Sequence, residues 1–153
     1  MNKNELEKLL WSIAFPGFGQ LLNQQYAKGA VFIALEMIVN MKSNFNLAII
    51  LSFQGNTNAS LEQIQFKWLV FYPFLYFAAI WDAVKKANEK DYSPFMVLPY
   101  VFAAAFVLLG FVCSFKIAVL HPFLDPILFP IFMVIPGVLS GLAIKKLLIS
   151  RIK

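Results

Sequence analysis

Glu36, Asn40 and Asn44 recur every four residues, with Ser43 beside them, so on a helix they form one polar stripe. The stripe lies within an otherwise apolar run at about residues 29–53 that also carries Lys42. Counting ~1.5 Å per residue from Gly29 puts Glu36 roughly 10 Å into a membrane and Asn40 near its middle. An ionised acid in a membrane helix costs on the order of 2.5–3.5 kcal/mol on insertion scales. Glu36 is therefore expected to face a bundle interior, to find a donor, or to be protonated. Two uses fit this pattern. One is a proton or cation site on a polar path. The other is an interhelical hydrogen-bond stripe that fixes packing.

Other chemistry-bearing residues are few. Asp82, beside Trp81, closes a later apolar run, and Lys28 is expected at the same depth, which allows an Asp82–Lys28 pair; the alternative is a boundary acid solvated among Lys85 and Lys86. His121 and Asp125 provide too few ligands for a metal site, and Pro122 between them spoils a helical i, i+4 arrangement. Cys113 lies in an apolar run and reads as a buried thiol, with no CxxC motif. Gly137 and Gly141 form a GxxxG that lets another helix approach closely, here expected within the bundle. No Ser-His-Asp, HExxH, P-loop or dinucleotide motif is present. With one histidine, most acid–base and metal mechanisms have no player. The sequence thus assigns no catalytic residue, cofactor or metal, and an enzyme is not expected.

The elements that must position these residues follow from composition. Of the 153 residues 60% are hydrophobic and 14% charged, where a soluble domain carries ~25% charged. That is too little charge to cover a soluble surface, and too much apolar and aromatic content for disorder. The expected fold is all-α: an integral membrane helical bundle forming one polytopic domain over residues 1–153. Spanning ~30 Å of hydrocarbon takes ~20 apolar residues. Spans are expected at about 29–53, 66–84, 94–115 and 126–144. The last holds Pro130, Pro136, Gly137 and Gly141, breakers that membrane helices tolerate.

Residues 4–28 differ. Leu6, Leu9, Leu10 and Ile13 fall on one helical face, with Glu5, Lys8 and Ser12 on another. Asn4 and Glu7 have capping-box spacing, and Trp11 suits an interface. Pro16-Gly17 then splits an apolar stretch of only 14 residues. The expectation is an interfacial helix followed by a shallow re-entrant turn, without a crossing.

Charge supports this topology. With both ends cytoplasmic, ten of the 13 basic residues lie inside, leaving Lys42, Lys67 and Lys116 at or toward the outside. Five spans with the N-terminus outside give eight against five and form the alternative. Residues 54–65 are expected as a polar outer loop. The +5 net charge reflects basic residues flanking spans rather than nucleic-acid binding, since no basic run is interleaved with aromatics. Partners are then the lipid bilayer and other membrane proteins or copies of the chain, and the location is the cell membrane.

One pattern resembles a known family. Phe15-Pro16-Gly17-Phe18-Gly19-Gln20, then Asn23, Gln25-Tyr26 and Lys28-Gly29, with Trp81-Asp82-Ala83 later, resembles small bacterial membrane proteins related to the TM-two domain family. The similarity covers about residues 9–39 and 78–86. It implies a membrane module built on a helix-turn-helix hairpin, with no catalytic residues. Gln24 stands where the family usually has Gly, so the tight turn is expected to be built differently here. The functional expectation is a scaffold, accessory or regulatory partner of a membrane complex. A small oligomeric transporter or channel using the stripe around Glu36 is the alternative.

Overall fold

A computed structural model describes residues 3–89, 93–118 and 125–152; His121 lies outside them. The described residues form helices joined by turns, with no strand among them. Among the described residues two stretches are long and apolar enough to cross a membrane, Pro94–Ser114 and Leu128–Arg151. A third qualifies as a bent pair, Thr57–Gln63 with Phe66–Ala87, turning through 79°.

The expected span at 29–53 is not one helix. It divides into α3 (Tyr26–Ser43) and α4 (Phe45–Phe53). Asn44 between them adopts a left-handed conformation, φ 54° and ψ 28°, which asparagine tolerates better than most residues. Its side-chain amide donates to Gln63 O at 3.0 Å, and Gln65 N–H donates to Ser43 O at 3.0 Å. These bonds tie the break to the segment that follows. That segment, expected as a loop, holds a helix, α5 (Thr57–Gln63). Ser60 anchors α5 by donating to Ala48 O at 2.7 Å, with Ser52 Oγ at 2.9 Å. Phe45 and Ala48 of α4 join Ile64, Leu69, Val107, Phe111 and Ile127 in the main apolar core.

After α6 (Phe66–Leu69), α7 (Phe71–Ala87) is the central element. It packs against α3, against α1 (Lys3–Ala14) and against α8 (Leu98–Ala118), which opens from a 3-10 turn at Pro94–Val97. The final pair, α9 (Leu128–Phe132) and α10 (Val134–Ile152), covers α8. Glycines set that contact. A Cβ at Gly137 would lie 2.8 Å from Ala103 Cα, and one at Gly141 only 2.5 Å from Pro99 Cα. The GxxxG pair therefore packs backbone on backbone inside the bundle. Gly110 does the same from α8, where a Cβ would meet Pro130 Cα at 2.7 Å.

The N-terminal element is a hairpin laid along α7. Asn4 Nδ2 donates to Ala87 O at 3.5 Å, and the Tyr76 hydroxyl donates to Ile13 O. These anchors are ~16 Å apart on α7 at ~1.5 Å per residue, so α1 runs antiparallel to α7 and ends near its middle. Beyond the Pro16-Gly17 turn, α2 (Phe18–Leu22) heads back, and Asn23 reaches Ala83 O. Two expectations need correction. Asn4 lies inside α1 and does not cap it. Glu5, Lys8 and Ser12 are buried against protein, while Leu6, Leu10, Trp11 and Ile13 are exposed. An interfacial helix would turn its polar face to water. Here that face packs inward and the apolar face outward, the arrangement suited to an apolar solvent. Cys113 is likewise exposed, not buried. It shares the outward side of α8 with Leu109 and Val112, whereas Gly110, Phe111 and Ser114 face the bundle.

Candidate functional site

The site is assembled by α3 and α7 at the tip of the α1–α2 hairpin. Glu36 is 5% exposed. Asn40, one turn further on the same helix, donates from Nδ2 to Glu36 Oε1 at 3.2 Å. Tyr72 of α7 donates from its hydroxyl to the same oxygen, also at 3.2 Å. Asn40 Oδ1 in turn accepts from Asn46 N–H at 3.3 Å. The carboxyl is thus held by two neutral donors, and among the described residues no cation contacts it.

Tyr72 is positioned by aromatic packing. Its ring lies 5.0 Å from that of Phe45 and stacks on Tyr76 at 5.9 Å. Tyr76 then bonds to Ile13 O, so the phenols connect the Glu36 centre to the end of α1. A cleft of about 710 Å³ opens beside Glu36. The hairpin residues Ile13 to Pro16 form one wall, and Asn40, Asn44 and Asn46 line another part. The arrangement can hold a proton or a small polar species beside a carboxyl group. It can equally clamp three helices together.

The expected stripe is only partly realised. Asn40 joins Glu36, but Asn44 leaves the helical register at the break and bonds to Gln63 instead. Ser43 donates to Asn40 O at 3.2 Å, within its own helix. Tyr72 and Tyr76 were not singled out from the sequence. Their i, i+4 spacing inside an apolar span is the available signal, because two hydroxyls in apolar surroundings require partners.

A second cluster gathers the residues of the Pro-Gly and Trp-Asp-Ala motifs. Lys28 Nζ lies 2.9 Å from Asp82 Oδ1. Gln20, fully buried, donates from Nε2 to Asp82 Oδ2 at 3.2 Å and to Ala79 O at 2.7 Å. Asn23 Nδ2 donates to Ala83 O at 2.8 Å. The glycines permit this closeness. A Cβ at Gly19 would fall 2.0 Å from Ser12 Oγ and 2.7 Å from Ala83 Cβ. Gly17 has φ 104°, and a Cβ there would meet Gly29 O at 2.6 Å. Gly29 in turn takes Leu21 against its backbone, and Pro16 is fully buried beside this contact. Tyr26 stands apart, 67% exposed. Gln24 adopts φ 60°, the left-handed geometry a glycine takes easily, so the turn keeps that geometry without one.

Asp125 is occupied structurally. Its Oδ1 accepts from Ile127 N–H at 2.8 Å and Leu128 N–H at 2.9 Å, and Thr57 donates to Oδ2 at 2.9 Å. No group of three or more His, Cys, Asp or Glu able to hold a metal occurs among the described residues. No protein-family model matches the chain, and comparison with curated proteins and with solved structures found no similar protein.

Proposed function

We propose that the chain is a multi-pass protein of the cell membrane. It has four spans, a non-crossing α1–α2 hairpin and both termini on the cytoplasmic side. It works by binding other membrane components, as a scaffold, accessory or regulatory subunit. One observation carries this reading. The polar groups of both clusters, Glu36, Asn40, Tyr72, Gln20, Asn23, Lys28 and Asp82, engage groups of their own chain. The outward faces are apolar, as at Ile135, Leu139 and Leu142 of α10 and Met37, Ile38 and Met41 of α3. Internal polarity then holds the bundle, and the lateral surface meets other molecules. The TM-two resemblance of the hairpin points the same way. Photo-crosslinkers placed at Leu139 and Met37 in native membranes test this. The expected product is a discrete protein complex; adducts to lipid alone overturn it.

The second reading is a small oligomeric transporter or channel, favoured by the asparagine-lined cleft at Glu36. It requires proton or cation flux in liposomes that Glu36→Gln abolishes. Flux unchanged in that variant removes Glu36 from any path.

A further inference from the structure

A second concavity, larger than the Glu36 cleft, lies away from Glu36. It is a groove of about 1320 Å³ between α1, α7, α8 and α10, with Tyr72 and Tyr76 separating it from the Glu36 cleft. α1 packs on α7 and α10 packs on α8, which leaves the groove between the two pairs. Its lining is almost entirely apolar along its length, including Ile80, Phe77, Val107 and Val138. Ile13, Ile131 and Leu142 on its walls are exposed, so it opens sideways. Its charged lining residues, Glu5 and Lys145, share one end with Asn88, beside the last turn of α7 with Lys85 and Lys86, and the phenols Tyr72 and Tyr76 close the other.

We infer that this groove binds one phospholipid of the cytoplasmic leaflet, with an acyl chain along the groove and the phosphate at Lys145. The inference rests on the membrane reading above and extends it to a ligand. Length fits. From Val84 to Tyr72 on α7, and from Pro99 to Phe111 on α8, the lining runs ~18 Å at ~1.5 Å per residue. Half of a ~30 Å hydrocarbon core is ~15 Å, one leaflet of chain, and the remainder reaches the headgroup level. Charge fits as well. Lys145 has no ion-pair partner among the described residues, and its long stem can follow the groove wall to the interface. Basic positions between membrane helices on the cytoplasmic side are suited to lipid phosphates. Asn88 adds an amide donor at the same end.

The test uses the full chain purified in mild detergent, stripped of lipid, and offered phosphatidylethanolamine or phosphatidylglycerol during native mass spectrometry. One phospholipid molecule per chain is expected to be retained from either lipid, because both carry the phosphate that Lys145 takes. Lys145→Ala is expected to weaken retention about tenfold, and Val138→Trp, which fills the groove, to remove it. No retention of either lipid, or retention unchanged in both variants, overturns the proposal. A photo-crosslinker at Phe77, inside the groove and away from the outward faces, keeps the test open if Val138→Trp does not fold. Adducts to lipid are expected, and adducts to another protein helix or a second copy overturn it. Absence of the chain from the membrane fraction is a separate result, and it removes the membrane reading itself.

Discussion

Two acids face each other's helices in this molecule, and they are held differently. Asp82 of α7 receives a cation from α3, Lys28 at 2.9 Å, plus the buried Gln20 amide. Glu36 of α3 receives a phenol from α7, Tyr72 at 3.2 Å, plus the Asn40 amide. Lys28 and Glu36 stand eight positions apart on α3, ~12 Å of helix. The comparison teaches where charge can be matched. At the Asp82 level Lys28 is 54% exposed on its side chain, so a full ionic partner keeps its contact with polar surroundings. At the Glu36 level only neutral donors are supplied, and the acid sits against a cleft. Asp82 is built into a tight joint of glycines and amides. Glu36 is built into a looser, hollow one.

That contrast predicts a ranking in stability, read by unfolding in mixed micelles. The largest effect belongs to the joint. Gly19→Val drives a side chain into Ser12 and Ala83, and a loss of about 3 kcal/mol or failure to fold is expected from such overpacking. Wild-type stability in that variant would mean that α2 does not sit on α7. Asp82→Ala comes next, with a loss of about 2 kcal/mol, because the buried Gln20 loses one of its acceptors. Tyr72→Phe removes one hydrogen bond beside a cleft and is expected to cost about 1 kcal/mol. If Tyr72→Phe proves worse than Asp82→Ala, the ranking of the two joints is reversed. Smallest is Gln24→Gly, which relieves a left-handed glutamine and is expected to stabilise by roughly 0.5–1 kcal/mol. A destabilised glycine variant would show that the Gln24 side chain contributes more than its backbone strain removes.

What was legible in the sequence divides along physical lines. The uncharged apolar run at 94–115 coincides with a helix because its prolines, Pro94 and Pro99, fall at the start, where a missing N–H is tolerated, and only Gly110 interrupts the rest. Glu36 with Asn40 follows from i, i+4 geometry, and Lys28 near Asp82 follows from depth counting alone. The break at Asn44 was not legible. No proline or glycine marks it, and it exists because tertiary bonds to Gln63 and Gln65 hold a left-handed asparagine. The inward polar face of α1 was misread for a related reason. Periodicity gives two faces but not which one meets protein, and in an apolar solvent the assignment reverses. Tyr72 and Tyr76 were hidden among many aromatics, since only the fold shows which hydroxyls meet an acid.

The central claim is that α1 and α2 form a hairpin that enters and leaves on one side. Cysteine labelling tests it most directly. In a Cys113→Ser background, Lys3→Cys and Gln24→Cys are placed at the two ends of the hairpin, and an impermeant thiol reagent is applied to sealed vesicles of known orientation. Both positions are predicted to label from the cytoplasmic side. Labelling from opposite sides would contradict the account, because it would make the first segment a full crossing.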